Sequence, residues 1–340
     1  MSIHIGIISS CNNNCSYCFR ENNYKKAGSI LEFDEIMQIF DWSAGAPHMG
    51  ISGGEPTLHP DVYKICEEST KRFKTTFFTN LTCKTSLMEQ LKSLNMEWLV
   101  NANTREELFD NFEANMYCLN KLENAGNTTF GVTLTSNLEE DIGYIKKLIR
   151  LGKMYPRVVN YYRIGLATPC HDKEFKLKNF DKSILEFYKM MDAEKQHYIP
   201  IVFDCCINSC QLSEKVMLKV LQDHRTSSFS HGCNMTSRVD IKADKRIGFC
   251  ASLPYEMYEG FSDYRMFSNW LEAYKSIEEI MLNYMNKYRY FCKQTNKCTN
   301  KNCQGACFAL IANLVKEEQK KPQIVQKWHK LRRDLVDFIL

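Results

Sequence analysis

Near its amino terminus the chain reads Ile3-His-Ile-Gly-Ile-Ile8-Ser-Ser-Cys11-Asn-Asn-Asn-Cys15-Ser-Tyr-Cys18, an apolar run followed directly by three closely spaced thiols. The short, isoleucine-rich run predicts a buried strand. The thiols are spaced C-x3-C-x2-C, which suits three of the ligands of a [4Fe–4S] cluster better than it suits a core. Such a cluster normally takes four ligands, so its fourth iron would stay open to a substrate or cofactor, as a catalytic zinc keeps an open position.

Two alternatives for these thiols stay open at this point. A zinc site is one, although zinc usually takes four ligands, typically as two separated C-x2-C pairs. A chance run of core cysteines is the other, because short motifs carry false positives.

The composition is that of an ordinary globular protein, with 44% apolar and 25% charged residues in a chain of 340. This length fits one large domain or two. The net charge of +4, from 44 basic and 40 acidic residues, is too small and too dispersed to predict a nucleic-acid partner.

Sixteen cysteines would suggest disulfides in a secreted protein, but the first residues do not resemble a signal peptide. No apolar stretch approaches the ~18 residues that a membrane-spanning helix needs. We therefore expect a cytoplasmic protein with no membrane partner, in which clustered thiols bind metal. Scattered thiols such as Cys66, Cys83 and Cys118 are expected in the core.

The first two hundred residues alternate short apolar runs with segments of helical period, which predicts a parallel sheet with right-handed crossovers. The pattern does not separate an open doubly wound sheet from a partial barrel. The predicted strands are 3–8, 48–52, 75–79, 98–102, 129–135, 158–166 and a last one at 199–203. The predicted helices are 33–42, 61–72, 86–94, 105–124 and 139–152.

The second predicted strand ends in Gly53-Gly54-Glu55-Pro56. Two glycines let the backbone approach a ligand closely, and the proline stiffens the exit from the turn. An ordinary Gly-Gly turn is the alternative interpretation.

Together, the C-x3-C-x-aromatic-C loop after the first strand and the GGEP segment after the second resemble the radical S-adenosylmethionine (radical SAM) superfamily. The resemblance implies an α/β fold with a partial (β/α)6 TIM-like barrel, whose active site lies at the carboxyl ends of the strands. It implies that Cys11, Cys15 and Cys18 hold a [4Fe–4S] cluster whose open iron binds SAM. Reduction would then split SAM into methionine and a 5′-deoxyadenosyl radical, which abstracts hydrogen from a substrate.

The same resemblance implies further SAM contacts. Gly53, Gly54, Glu55 and Pro56 would hold the amino group, and Tyr17 would lie near the adenine. Ser136 follows the fifth strand, where the family often places ribose-binding residues, although turn capping is the alternative. Arg163 resembles an arginine that grips the SAM carboxylate, and burying its charge unpaired within an apolar strand would be costly.

The last strand leads into a thiol-rich patch, Cys205-Cys206-Ile-Asn-Ser-Cys210. Cys206 and Cys210 are candidate catalytic thiols or an extra cluster ligand, and an inert buried turn is the equal alternative.

Six further cysteines are concentrated in the last third of the chain. Cys233 and Cys250 flank a predicted β-hairpin. Cys292, Cys298, Cys303 and Cys307 follow a predicted helix with the spacing C-x5-C-x4-C-x3-C.

This pattern resembles the SPASM/twitch extension of radical SAM enzymes, which carries one or two auxiliary [4Fe–4S] clusters. The usual spacing there is C-x2-C-x5-C-x3-C, so the match is incomplete. The resemblance implies one auxiliary cluster on Cys233, Cys250, Cys303 and Cys307. A second would need Cys292 and Cys298 with help from the 205–210 patch. Structural zinc is the alternative for these six thiols.

We therefore predict a barrel at 1–204, a thiol-rich connector at 205–232, a small α+β auxiliary-cluster domain at 233–315 and an amphipathic helix at 316–340. The resemblance implies a reducing partner such as flavodoxin or ferredoxin. We expect oxidation or cross-linking of a peptide or protein side chain. Dehydrogenation of a small molecule such as an aminosugar is one alternative. A non-enzymatic zinc or Fe–S binding module is another, which would leave the GGEP segment unexplained.

Overall fold

The computed structural model describes residues 1–15, 17–18, 28–121, 128–167, 179–206, 211–230, 238–248, 250, 261–279, 282 and 286. Within these residues ten strands form one sheet, in the order β10-β9-β1-β2-β3-β4-β5-β6-β7-β8. All neighbouring strands are parallel except β9 and β10, which are antiparallel. The strands are β1 Ser2–Gly6, β2 His48–Ser52, β3 Lys74–Thr79, β4 Glu97–Asn101, β5 Thr128–Leu134, β6 Val159–Leu166, β7 Ile201–Cys206, β8 Thr226–Ser230, β9 Arg238–Ile241 and β10 Ile247–Gly248.

Helices connect the consecutive parallel strands. They are α1 Phe33–Trp42, α2 Val62–Arg72, α3 Thr85–Leu91, α4 Phe109–Asn120, α5 Leu138–Met154, α6 Asp181–Ala193 and α7 Glu214–Gln222, followed by α8, described at 270–279. Within the described residues, no helix has both the length and the apolar character that crossing a membrane requires.

The fold is the predicted α/β architecture with a sheet of the partial-barrel type. The six predicted barrel strands are β1 to β6, and the predicted strand at 199–203 is β7. The helix predicted from residue 105 begins only at Phe109, because Glu106–Leu108 forms a 3-10 turn. In that turn the Leu108 amide donates to the carbonyl of Arg105, three residues back.

Strand geometry gives the sheet two different faces, since successive side chains point to opposite sides. In β1, Ile3 and Ile5 are fully buried in the apolar core, and His4 points the other way. The His4 ring lies against Gly50 of β2: a β-carbon on that glycine would be 2.7 Å from His4 Cδ2. On the face that carries His4, β1 and β2 are therefore tightly packed.

The later part of the chain is bonded to the barrel at two places. The hairpin predicted between Cys233 and Cys250 is confirmed, and its strand β9 pairs with β1. Trp42 Nε1 of α1 donates to the carbonyl of Phe267 at 2.9 Å, and Trp270 Nε1 donates to the carbonyl of Ala44 at 3.0 Å. The division into barrel, connector and auxiliary domain stays a prediction.

Candidate functional site

The three amino-terminal cysteines lie on one loop beyond the carboxyl end of β1. All three thiols are half-buried. The Cys11 sulfur accepts a hydrogen bond from the Asn13 amide at 3.4 Å, and the Cys18 amide donates to the carbonyl of Cys15 at 3.2 Å. These two local hydrogen bonds fold the described part of the loop into turns.

The GGEP segment is bonded directly to the start of this loop. The Gly54 amide donates to the carbonyl of Ile8 at 2.6 Å, and the Glu55 amide donates to the carbonyl of Ser10 at 2.9 Å. A β-carbon on Gly54 would lie 1.8 Å from the Ser10 carbonyl oxygen, so only glycine permits this approach. The two motifs therefore form one structural unit.

Glu55 is buried, and its carboxylate accepts four hydrogen bonds. Oε1 accepts from the Thr57 amide at 3.2 Å, from the Thr57 hydroxyl at 2.7 Å and from the Thr79 hydroxyl at 2.8 Å. Oε2 accepts from the Asn80 amide at 2.7 Å. Burial raises the pKa of the Glu55 carboxyl, although these hydrogen bonds act in the opposite direction. The Glu55 side chain thus connects the end of β2 to the end of β3. The groups that the GGEP segment can offer to a ligand are therefore those of its backbone.

Tyr17 belongs to the cysteine loop and contacts the end of β4. Its hydroxyl accepts a hydrogen bond from Asn101 Nδ2 at 3.3 Å. Burial, followed by the nearby Cys15, raises the pKa of the Tyr17 phenol well above its usual range. The expected proximity of Tyr17 to the adenine of SAM stays a prediction.

Ser136 lies at the carboxyl end of β5, in a turn held by a buried carboxylate. Its φ of 70° is in the left-handed region, and its amide donates to Asp141 Oδ2 at 3.1 Å. The Asp141 carboxylate also accepts from the Thr135 amide at 2.6 Å and from the Ser183 hydroxyl at 2.6 Å. The carboxylate fixes the turn that carries Ser136 at the predicted ligand-facing edge.

Arg163 lies on β6 and forms an ion pair with Asp204 of β7. The two side chains keep 27% and 35% of their surface exposed, so the pair is accessible from the sheet face. The stem of Arg163 passes over Gly131 of β5, where a β-carbon would be 3.4 Å from Arg163 Cβ. The charge of Arg163 was expected to need a partner. In this structure the partner is the carboxylate of Asp204.

One further feature near the cysteine loop fits a bound group. The Ser9 hydroxyl is fully buried and has no hydrogen-bond partner in the described part of the chain. Buried polar groups normally have partners, so an unmatched hydroxyl two residues before Cys11 fits a site that a bound group completes. Three soft thiolate donors also suit an iron–sulfur cluster.

Within the described residues, no three His, Cys, Asp or Glu side chains converge on a point where a single metal ion could be held. Cys11, Cys15 and Cys18 are among these residues, so their thiols do not converge on such a point either. In a cubane each thiolate binds a different iron atom, so its ligands surround the cluster rather than share one point.

Most of the later thiols lie outside the described residues. These are Cys210, Cys233, Cys292, Cys298, Cys303 and Cys307. Cys206 is the last residue of β7, and its side chain is not among those described. Cys250 follows β10 and is half-buried. The auxiliary-cluster ligands and the catalytic thiols therefore stay predictions.

The family model described as the Radical SAM superfamily matches residues 5–210, which is more than half of the 340-residue chain. The chain is a member of the radical SAM superfamily. It is accordingly an enzyme of that superfamily, and membership implies a [4Fe–4S] cluster and SAM as cofactors.

Several curated relatives of this radical SAM enzyme carry the name "Probable GTP 3′,8-cyclase". The protein of Methanococcus maripaludis strain C6 is 38% identical over 68 residues, which cover 19% of this chain and 23% of the relative. The protein of strain C5 is 27% identical over 214 residues, which cover 59% of this chain and 63% of the relative. The chain thus spans less than two thirds of the length of these relatives.

Among solved structures, Streptococcus suis SuiB is similar in two states. The structure bound to precursor peptide SuiA has a TM-score of 0.49 and 14% identity, and covers 74% of this chain and 59% of SuiB. The structure bound to S-adenosylmethionine has a TM-score of 0.49 and 15% identity, and covers 73% of this chain and 60% of SuiB.

The sequence did not indicate two carboxylates of this region, Asp141 and Asp204. Asp141 lies in the first turn of a predicted helix, where an acidic residue is ordinary. Asp204 carries a sequence signal: it is an acidic residue within an apolar strand, one strand after the strand that contains Arg163.

Proposed function

We propose that the enzyme uses Cys11, Cys15 and Cys18 to hold a [4Fe–4S] cluster and the Gly53–Pro56 segment to hold SAM, for oxidative modification of a peptide or protein side chain. The observation that carries this proposal is the direct bonding of the two motifs, through Gly54 to Ile8 and Glu55 to Ser10. When bound, the reduced cluster supplies the electron that splits SAM into methionine and a 5′-deoxyadenosyl radical, which takes a hydrogen atom from the substrate.

The protein residues position the cofactor and exclude water. The GGEP backbone offers carbonyl groups to the amino group of SAM, and its glycines allow a close approach. Ser136 and Tyr17 lie at the ends of β5 and beside β4, on the edge where a parallel sheet of this type binds its ligands. Arg163 offers a guanidinium suited to a carboxylate, in competition with Asp204.

The later cysteines support the oxidative part of the proposal. An auxiliary cluster on Cys233, Cys250, Cys303 and Cys307 would accept the electron that the substrate radical loses when a net oxidation or a cross-link is formed. A flavodoxin or ferredoxin would supply the reducing electron. The alternative, dehydrogenation of a small molecule such as an aminosugar, would use the same [4Fe–4S] cluster, SAM-binding segment and auxiliary cluster.

The test is anaerobic purification followed by reduction with dithionite in the presence of SAM. We expect brown protein that forms 5′-deoxyadenosine, and a Cys15→Ala variant that forms none. Cys66→Ala is the matched control, because Cys66 is buried in α2, away from the loop. Equal 5′-deoxyadenosine formation by Cys15→Ala would overturn the proposal, as would colourless protein with stoichiometric zinc.

The names of the Methanococcus relatives favour GTP as a second candidate substrate. The strain C5 relative matches 59% of this chain. A reaction containing GTP distinguishes the candidates. A cyclised nucleotide product would favour the activity named for those relatives. No change in GTP, together with SAM cleavage, leaves peptide and protein substrates as the proposal.

A further inference from the structure

Three polar side chains form a closed ring of hydrogen bonds between the cysteine loop and the turn after β3. Asn80 Nδ2 donates to Asn12 Oδ1 at 2.8 Å, and Asn12 Nδ2 donates to the Thr82 hydroxyl at 2.8 Å. The Thr82 hydroxyl in turn donates to Asn80 Oδ1 at 2.6 Å. We call these residues, Asn12, Asn80 and Thr82, the amide ring. Asn12 lies between Cys11 and Cys15, so the ring holds the loop that carries the thiols.

The amide ring is also connected to the GGEP segment. The backbone amide of Asn80 donates to Glu55 Oε2, while its side chain bonds the cysteine loop. Asn80 and Thr82 are both more than nine-tenths buried. Neutral hydrogen bonds that are shielded from water hold their geometry more firmly than exposed ones.

A second contact holds the next residue of the loop. Asn13 Nδ2 donates to the carbonyl of Asn103, beyond the end of β4, at 2.9 Å. Asn103 is itself fixed to β5, because its Oδ1 accepts from the Thr133 amide at 2.7 Å. Two consecutive loop residues are therefore anchored to two different strand ends.

The turn that carries the ring is strained. Leu81 has a φ of 59°, in the left-handed region that a bulky residue rarely adopts. Its amide donates to the Thr79 hydroxyl at 2.9 Å, and its carbonyl accepts from Asn115 Nδ2 at 3.0 Å. Strained backbone persists where its surroundings fix it, and such positions cluster at functional sites. Asn80 and Thr82, on either side of Leu81, both bond Asn12 of the cysteine loop.

We infer that Asn12, Asn80 and Thr82 are positioning residues that arrange the thiols of Cys11 and Cys15 before the cluster is bound. This inference rests on the proposed function. It adds that hydrogen bonds between protein side chains organise the loop that carries the thiols. Its consequence is that cluster assembly, and not only SAM cleavage, depends on the amide ring.

The first experiment compares Asn12→Ala with Asn14→Ala. Both residues lie between Cys11 and Cys15, but the Asn14 side chain is exposed. Hydrogen exchange is measured on the cluster-free full-length protein, in the peptide that covers residues 9–18. We expect exchange in Asn12→Ala to be faster by roughly 25-fold, since two hydrogen bonds are lost at about fivefold each. We expect Asn14→Ala to match the parent.

The second experiment tests the ring as a unit. Thr82→Val removes one hydroxyl of nearly the same shape, and Thr70→Val is its control, because the Thr70 hydroxyl donates only within α2. We expect Thr82→Val to speed exchange of the loop and to lower the iron bound on reconstitution, with Thr70→Val unchanged. The Asn12→Ala/Thr82→Val double variant should add little to Asn12→Ala, because both break one ring.

Exchange and iron content in Asn12→Ala and Thr82→Val equal to those of their controls would overturn the inference. This result would leave the proposed function standing. Conversely, a protein that binds no iron–sulfur cluster, yet loses loop protection in Asn12→Ala, would overturn the proposed function and keep the ring as a purely structural device.

Discussion

The carbonyl oxygen of Ser10 lies 1.8 Å from the point that a β-carbon on Gly54 would occupy. That oxygen is a backbone atom. The Gly54 amide also donates a hydrogen bond to the carbonyl of Ile8, two residues before Ser10. The cysteine loop therefore cannot keep its place if Gly54 gains a side chain.

We predict that Gly54→Ala displaces the start of the cysteine loop. Forcing an extra methyl into a packed site costs roughly 1–3 kcal/mol, so both the unfolding free energy and the iron bound on reconstitution should fall. Gly143→Ala is the control, because a β-carbon there meets no atom within 4 Å. It lies inside α5 and should stabilise the protein by roughly 0.5–1 kcal/mol. Equal iron content in the two variants would contradict the prediction.

We predict that Glu55→Gln weakens the connection between β2 and β3. The carboxylate accepts at both oxygens, and a glutamine amide nitrogen cannot accept from either the Asn80 amide or the Thr donors. Leaving a buried donor unmatched costs about 1–3 kcal/mol, which urea unfolding measures directly. Glu32→Gln, at an exposed position, should change stability by less than about 0.5 kcal/mol. Similar losses in both variants would argue against a specific role for Glu55.

We predict that His4 makes the protein less stable in mild acid. Burial lowers the pKa of His4 well below its ordinary value, and the positive charges of Arg238, His48 and Arg163 act in the same direction. Asp240, whose Oδ1 is 3.6 Å from His4 Nδ1, faces the same ring. As the pH falls below about 6.5, the unfolded chain binds a proton that the folded protein does not, so the unfolding free energy decreases.

The measurement is urea unfolding between about pH 7.5 and pH 5.5, where one such group contributes at most about 1.4 kcal/mol per pH unit. His4→Asn should flatten the dependence, with His48 left as a smaller contributor because burial lowers its pKa as well. His197→Asn, at an exposed position, should keep the slope of the parent. A parental slope in His4→Asn would refute the assignment.

We predict opposite effects on SAM affinity for the two members of the ion pair on β6 and β7. Arg163→Gln should weaken SAM binding by about tenfold or more, the loss expected for a hydrogen bond to a charged group. Asp204→Asn should tighten binding, because the competing protein carboxylate is neutralised. Equilibrium dialysis under anaerobic conditions measures both, with the exposed Asp110→Asn as control. Unchanged affinity in both variants would remove Arg163 from the SAM site.

Much of the fold was predictable because the signals are local. The apolar runs of β1 to β6 and the helical period of α1 each specify their element within a few residues of sequence. The cysteine loop and the GGEP segment were also predictable as neighbours, since the carboxyl ends of adjacent parallel strands share one edge. Their direct hydrogen bonds follow from that placement.

The contacts that hold the site were not predictable, because they join residues far apart in the chain. Nothing in the sequence pairs Asn12 with Asn80, or Asp141 with Ser183. For Arg163 the cost of a buried charge predicted that a partner must exist, but not that it is Asp204. Position 81 is a leucine, so no glycine in the sequence indicates a left-handed φ there. Tertiary contacts impose that φ.

The pairing of β1 with β9 affects where this chain can be truncated. The strand that leads into the cysteines has β2 on one side and, on the other, a segment more than two hundred residues later, with Ser2 opposite Arg238 and Ile5 opposite Ile241. A fragment ending at residue 210, where the family match ends, would leave β1 with an open edge, a surface that invites aggregation. During translation the same strand gains its second neighbour only after the ribosome has passed residue 241.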